Sequence, residues 1–128
     1  MRLLLDTHSF LWFTSNDSKL SDVAYAAIKH VNNEVFVSIA SVWEIAIKVS
    51  IGKFDLRKPV DEFVEEQLES AGIELLNISV THVAAVSHMP FHHRDPFDRL
   101  LIAQAKVENL PLVSVDAKFD AYGVTRIW

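Results

Sequence analysis

Short apolar segments that alternate with amphipathic helical segments constrain the fold of this 128-residue chain more than any other feature. A continuous apolar run of about four to eight residues that ends at a polar residue is typical of a strand buried on both faces of a parallel sheet. Such runs predict strands at residues 2–6, 34–38, 73–77 and 111–115, and a fifth strand at residues 124–127.

The segments between these strands carry the signals of helices. Ser21 is a favourable helix cap, Pro59 suits the first turn of a helix, and Gly72 suits the position after its end. A loop is expected at residues 89–95, between the last two helices. The predicted helices span residues 7–13, 22–30, 41–50, 59–70, 80–88 and 96–108.

Strands and helices in this order predict an α/β fold with a mainly parallel sheet of four to five strands and right-handed crossovers. The chain length suits one compact domain, and 50% of the residues are hydrophobic, which is sufficient for a core. The sequence has no internal repeat or linker. We therefore expect residues 1–128 to form a single domain.

The charge balance argues against a protein that coats nucleic acid without specificity. The formal net charge is −5 and the pI is about 5.6, whereas phosphate contacts make such binders basic. An acidic chain fits an enzyme whose carboxylates gather at a divalent cation, because the cation reverses the local charge. The charge alone does not select a substrate.

The sequence also limits the chemistry and the location of the protein. It contains no cysteine, which excludes disulfides and thiolate metal sites. No apolar run reaches the roughly 18–20 residues of a membrane span. The apolar run that begins at Met1 stops at Asp6 and is too short for a signal peptide. We expect a soluble, cytoplasmic protein without membrane association.

Four acidic residues occur at positions that the predicted fold brings to one edge of the sheet. Asp6 follows the first strand and Asp116 follows the fourth, and ligands of open α/β sheets bind beyond the carboxyl ends of the strands. Glu44 lies near the start of the helix after the second strand, which begins at the same edge. Asp98 lies near the start of a later helix, so the sequence permits the same placement without requiring it.

Each of these acids also has a purely structural interpretation as a helix cap. Ser41 and Glu44 have the spacing of a capping box, and Asp95 followed by Pro96 is a favourable helix start that puts Asp98 in the first turn. Capping alone is the commoner role for any single acid. However, a cap accepts serine, threonine or asparagine equally well, whereas a hard divalent cation requires carboxylate oxygen. The joint pattern therefore favours a metal site.

Four motifs around these acids resemble those of PIN-domain nucleases, and most closely those of VapC-like toxins of bacterial type II toxin–antitoxin systems. The likeness extends over nearly the whole chain, and four motifs in the same order are far more specific than one. The motifs are Leu-Leu-Leu-Asp6-Thr-His, Ser41-Val-Trp-Glu44-Ile-Ala-Ile-Lys48, Arg94-Asp-Pro-Phe-Asp98-Arg-Leu-Leu-Ile-Ala and Val113-Ser-Val-Asp116.

This resemblance implies a PIN-like three-layer α/β/α fold and hydrolysis of RNA with one or two Mg²⁺ or Mn²⁺ ions. It implies that Asp6 and Asp98 are the main metal ligands, that Asp116 is a further ligand, and that Glu44 positions the ion or its water. It implies products with a 5′-phosphate and a 3′-hydroxyl. It also implies a homodimer and an antitoxin whose peptide covers the acidic site.

Several basic residues near the motifs are weaker candidates. Lys48 follows Glu44 by four residues, which predicts an ion pair on one helix face and permits a phosphate contact. Arg94 and Arg99 flank the Asp98 motif, and arginine recognises phosphate well. The sequence places three histidines near the same motif, and we interpret them as a solvated loop rather than a zinc site: His88, His92 and His93.

Aromatic residues also lie next to the acids. Phe10, Trp12 and Phe13 follow Asp6, and Trp43 precedes Glu44. An unpaired RNA base could stack on such a ring, but burial in the core or in an interface is the expected role of most of them.

Three other functions compete with a nuclease as explanations of these acids. A non-catalytic PIN-like module that binds protein or RNA is the main alternative, although the presence of all four acids opposes it. A phosphoacceptor receiver domain requires an adjacent acidic pair after the first strand, which is missing. A haloacid-type phosphatase requires Asp-x-Asp at that position, where His8 stands instead of the second aspartate.

Overall fold

The computed structural model describes all residues from 1 to 128, and it contains one sheet of five parallel strands. The strand order across the sheet is β3-β2-β1-β4-β5. The predicted α/β fold with a parallel sheet is confirmed. The strands are β1 (Arg2–Leu5), β2 (Glu34–Ser38), β3 (Glu74–Leu76), β4 (Leu112–Val113) and β5 (Arg126–Ile127).

All six predicted helices are present, and a short 3-10 helix follows β4. None of them combines the length and the apolar character that crossing a membrane requires. The helices are α1 (Thr7–Thr14), α2 (Asp22–Lys29), α3 (Ile39–Ser50), α4 (Val60–Ala71), α5 (Val80–Val86) and α6 (Pro96–Glu108), and the 3-10 helix is Ala117–Tyr122.

The helices cover both faces of the sheet, so the predicted three layers are confirmed. Successive side chains of a strand point to opposite faces, and β1 contributes Leu4 to one core cluster and Leu3 and Leu5 to the other. The cluster around Leu4 includes residues of α6 and the 3-10 helix. The cluster around Leu3 and Leu5 includes residues of α1, α2 and α3. Burial of each leucine side chain contributes about 1.5–3 kcal/mol.

Strand β1 occupies the centre of the sheet, between β2 and β4. The chain first builds the sheet outward on one side of β1, through β2 and β3, and then crosses to the other side to form β4 and β5. Such a reversal of strand order opens a crevice at the carboxyl ends of the strands. The crevice between β1 and β4 is therefore the natural place for a ligand.

The start of α3 differs from the prediction and removes the capping box. The helix begins at Ile39, and Ser38 caps it by accepting a hydrogen bond from the N–H of Ala40 at 2.9 Å. Ser41 and Glu44 consequently lie inside the helix, and the interpretation of Glu44 as a capping residue was wrong. Its carboxylate is free for another role.

Candidate active site

Asp6 lies directly after β1 and caps α1. Its carboxylate accepts a hydrogen bond from the N–H of Ser9 at 2.8 Å, and only 7% of the residue is exposed. The Ser9 hydroxyl donates to the carbonyl of Val113 at 3.0 Å, which ties the first turn of α1 to β4. Asp6 is therefore fixed at the crevice beside β1.

Glu44 extends from α3 toward the same crevice. The residue is 8% exposed, and its carboxylate lies 3.1 Å from the Lys48 ammonium. The predicted ion pair is thus confirmed. A hydrogen bond of 2.9 Å between the hydroxyls of Thr7 and Ser41 joins the first turns of α1 and α3. This contact holds the two helices that carry Asp6 and Glu44 side by side.

Asp98 is in the first turn of α6, as predicted. Asp95 caps this helix by accepting hydrogen bonds from the N–H groups of Phe97 at 2.8 Å and Asp98 at 3.3 Å. Burial, together with repulsion from Asp95, Glu44, Asp6 and Asp116, raises the pKa of Asp98 from its ordinary 3.8 to about 7. Since the charge of each of these carboxylates acts on Asp98, each of them lies near it.

Asp116 follows β4 and caps the 3-10 helix. One carboxylate oxygen accepts from the N–H of Lys118 at 3.0 Å, and the other lies 3.1 Å from Nε2 of His93. Burial opposes ionisation of Asp116, but the hydrogen bonds from His93 and Lys118 outweigh it and lower the pKa below its usual 3.8. Asp116 is therefore a stable anion beside Asp98, whose ionisation is costly.

The structure places Asp6, Glu44 and Asp116 close enough to Asp98 for their charges to act on it, and Asp98 and Asp116 form the closest pair, together with His93. The donor set of the four acids is hard carboxylate oxygen, which is the set that Mg²⁺ and Mn²⁺ accept. Single ligand atoms of His93, Asp98 and Asp116 lie within 4.8 Å of one another. The residues present therefore fit a divalent cation, which would relieve the repulsion that raises the pKa of Asp98.

One predicted substrate contact is wrong. Arg99 is only 5% exposed, and its guanidinium donates to the backbone carbonyls of Pro90 at 2.9 Å, Val86 at 3.2 Å and Met89 at 3.4 Å. It holds the segment before α6 and is not available to a phosphate. The prediction failed because an arginine next to an acidic motif gives no sign of which way its side chain turns. Arg94, in contrast, is exposed.

The interpretation of the three histidines as a solvated loop is correct for His88 and His92, which are exposed, but wrong for His93. His93 is 8% exposed and contacts Asp116 directly. Its position five residues before Asp98 was the only signal of this role in the sequence.

The aromatic residues divide as expected between the core and the surface. Phe10 is fully buried, and Trp12 and Phe13 pack against the core beside it. Trp43 is 60% exposed, and its ring makes an edge contact with Phe97, with centroids 5.2 Å apart. These two rings flank Glu44 and Asp98 in the sequence.

A separate apolar groove lies away from the acids. It runs between α1 and the segment that connects α3 to α4, and none of the four acids lines it. Leu11, Trp12 and Phe63 contribute apolar surface. Lys53, Asp55 and Arg57 contribute charges of both signs.

The chain is similar to proteins of one known family. The profile of the PIN domain matches residues 3–124. Ribonuclease VapC22 of Mycobacterium tuberculosis is 30% identical over 123 residues, which cover 94% of this chain and 91% of that protein.

Two solved structures share the fold over almost their full length. VapBC2 from Rickettsia felis, bound to a DNA fragment from its promoter, has a TM-score of 0.73 at 18% identity and covers 98% of this chain and 97% of that one. VapBC-1 from nontypeable Haemophilus influenzae has a TM-score of 0.65 at 15% identity, with 98% and 96% covered. From its profile match, its full-length relative and its fold, this chain belongs to the PIN domain family.

Proposed function

We propose that residues 1–128 form a single nuclease domain, a metal-dependent endoribonuclease that acts as the toxin of a toxin–antitoxin pair. The observation that carries this proposal is the convergence of four carboxylates from separate elements on one crevice, where repulsion and burial raise the pKa of Asp98 to about 7. A purely structural cluster of caps gains nothing from such crowding. The full-length relative named Ribonuclease VapC22 supports RNA as the substrate.

In this proposal Asp6, Asp98 and Asp116 bind Mg²⁺ or Mn²⁺, and Glu44 positions the ion or its water. When bound, such an ion acidifies a water and stabilises the charge that develops on the scissile phosphate. Lys48 holds the Glu44 carboxylate in place through their ion pair. Lys48 and Arg94 are also the basic residues near the site that remain candidates for contacts with RNA phosphates.

The surrounding residues influence the ionisation of Asp116 and Asp98 in the absence of an ion. The hydrogen bonds that Asp116 accepts from His93 and from the N–H of Lys118 favour its ionised form. Asp98 holds a proton near neutral pH and releases it when a cation binds. Attack of a water oxygen on the phosphorus in line with the 3′ oxygen would break the P–O3′ bond, and protonation of that leaving oxygen would give a 3′-hydroxyl and a 5′-phosphate.

The partners that we propose are an antitoxin protein and a second copy of the chain. The two similar structures are both named VapBC assemblies, which supports a protein partner. The antitoxin peptide would cover the acidic site, and the groove beside α1, which is lined by Lys53, Asp55 and Arg57 as well as by apolar side chains, offers further surface for the same partner. The homodimer is supported by the family likeness alone.

The test is cleavage of a mixed pool of cellular RNA by purified protein with Mg²⁺, Mn²⁺ or EDTA. We expect cutting with either metal and none with EDTA. Asp6→Asn should abolish cutting, since asparagine keeps the helix cap but loses the anionic ligand. Asp61→Asn, at an exposed position in α4, is the matched control and should cut like the wild type.

Full cleavage by Asp6→Asn would contradict the proposal. So would a folded wild-type protein that binds neither metal, and that result would favour a non-catalytic PIN-like module that binds protein or RNA. Toxicity of the expressed wild type, lost in Asp6→Asn, would tie the cleavage to the proposed role in the cell.

A further inference from the structure

We propose that His93 is a positioning residue: oriented by Tyr122, it donates its Nε2–H to Asp116 and so fixes that carboxylate for the metal. The inference rests on the proposed metal site and adds a residue that lies outside its four acids. His93 is placed in the segment between α5 and α6, where it packs against the rings of Phe119 and Tyr122 with centroids 4.8 Å and 5.5 Å apart. This packing leaves the imidazole little freedom.

The hydroxyl of Tyr122 decides which nitrogen of His93 carries the proton. This oxygen accepts hydrogen bonds from the backbone N–H groups of His92 at 3.0 Å and His93 at 2.8 Å. A tyrosine hydroxyl has two acceptor positions and one hydrogen to donate. With both positions filled, its hydrogen remains for Nδ1 of His93, which lies 3.4 Å away.

A neutral imidazole that accepts at Nδ1 carries its hydrogen at Nε2. Nε2 is the atom that lies 3.1 Å from the carboxylate of Asp116. His93 therefore donates to Asp116, and Tyr122 determines this by filling the other side of the ring.

The consequence for Asp116 is that both of its oxygens are held. The N–H of Lys118 fixes one oxygen at 3.0 Å, and His93 fixes the other. Each carboxylate oxygen keeps a second lone pair for a cation. Since Asp116 is half-exposed, loss of the His93 contact would let its carboxylate turn away from Asp98.

Direct ligation by His93 is the competing arrangement, because its ring nitrogen lies within 4.8 Å of ligand atoms of Asp98 and Asp116. The two arrangements exclude each other, since Nε2 cannot carry a hydrogen and bind an ion at once. The tautomer set by Tyr122, with hydrogen at Nε2, favours the hydrogen bond from His93 to Asp116 over direct ligation of the ion. Metal titration and spectroscopy distinguish the two arrangements.

The experiment is titration of the purified protein with Mn²⁺, followed by electron paramagnetic resonance of the free ion. His93→Leu should weaken Mn²⁺ binding about 10–100-fold, as loss of a hydrogen-bond partner of a ligand does. His93→Gln should recover most of this loss, because its amide N–H can reach Asp116. His88→Gln, at an exposed position nearby, is the matched control and should bind Mn²⁺ like the wild type.

Two spectroscopic readings complete the test. Pulsed resonance of the Mn²⁺ complex should show no coupling to a directly bound nitrogen, and such a coupling would overturn the inference. In metal-free protein, ¹⁵N shifts of the His93 ring should report hydrogen at Nε2, and hydrogen at Nδ1 alone would overturn it as well.

Unchanged Mn²⁺ affinity in a folded His93→Leu variant would also overturn the positioning role while leaving the proposed function intact. Failure of the wild type to bind Mn²⁺ would instead overturn the proposed function. The tautomer reading on metal-free protein would then still decide whether His93 donates to Asp116.

Discussion

The fold opposes the ionisation of Asp98, because this carboxylate is partly buried and lies near other carboxylates. With a pKa of about 7 in the folded protein and 3.8 as its ordinary value, it binds more protons folded than unfolded between these pH values. Stability of the metal-free protein therefore falls as pH rises from about 4 to 7 and stays lowered above that range. Asp116 acts in the opposite direction, since its lowered pKa stabilises the fold above the ordinary value and the effect is lost in acid.

Removal of the charge at Asp98 should consequently stabilise the metal-free protein. We expect Asp98→Asn to raise the free energy of unfolding by about 1–2 kcal/mol near pH 8, after allowance for solvent screening, and to change it little near pH 4. Thermal melts in EDTA at both pH values measure this. A variant that is equally stable to the wild type at pH 8 would show that repulsion among the acids is weak.

Arg99 is a buried charged residue that stabilises the fold, because its guanidinium donates hydrogen bonds to backbone carbonyls. Replacement by methionine keeps an unbranched apolar stem but removes the guanidinium and leaves three backbone carbonyls without their donor. We expect Arg99→Met to lower the free energy of unfolding by about 3 kcal/mol, measured by urea denaturation. The exposed Arg94→Met should cost less than about 0.5 kcal/mol, and equal losses in the two variants would contradict this account.

At the scale of the elements, the start of α3 shows what local sequence can and cannot predict. Ser41 could begin this helix, because the Ser41–Glu44 spacing matches a capping box. The apolar run of β2 ends at Ser38, however, and the Ser38 hydroxyl both caps α3 and donates to the buried side chain of Gln104 in α6. That partner lies 66 residues away in the sequence, so no local pattern reveals it.

The double role of Ser38 predicts an unusually large effect for a small substitution. Ser38→Ala should lower the free energy of unfolding by about 2–3 kcal/mol, from a lost cap and an unsatisfied buried amide oxygen. Ser50→Ala, at the exposed end of the same helix, should change it by less than about 0.5 kcal/mol. Urea denaturation of both variants measures the difference, which would vanish if Gln104 found another partner.

The strands and most helix boundaries followed from the sequence because they depend on local apolar runs and caps. Strand β1 and helix α6 match their predicted bounds within one residue, and each has a strong stop or start signal. The 3-10 helix after Asp116 was foreseen only through the cap interpretation of that residue, since six residues are too few for a helical period to show. The placement of Asp98 also depended on tertiary structure, because its helix follows β3 only after α5.

For the whole molecule, the acidic site is a product of topology. Asp6 and Glu44 belong to the β1 and β2 side of the crevice, and Asp116 belongs to the β4 side, so the parallel order brings them to one edge. The four acids could be proposed from the sequence because their positions follow strand ends and helix starts. His93 and Arg99 could not, since the roles of both depend on which way a side chain turns in a loop or a first turn.

Metal binding should couple to pH through this arrangement. Below a pH of about 7 a cation must displace the proton of Asp98, so the apparent affinity for Mn²⁺ should fall by up to about tenfold per pH unit. Saturation at about 100 times the dissociation constant should stabilise the fold by about 2.7 kcal/mol. Calorimetry between about pH 6 and pH 8 measures the affinity and the released proton, and an affinity independent of pH would contradict the role given to Asp98.

The caps at Asp6 and Asp116 have a genetic consequence. An aspartate codon becomes an asparagine codon by one transition at its first base, and asparagine caps a helix about as well as aspartate does. An allele with that change would therefore encode a folded protein that has lost an anionic ligand. Under the proposed function, such an allele would abolish toxicity while its product continued to bind the antitoxin, so it would act in the cell as a decoy rather than as a deletion.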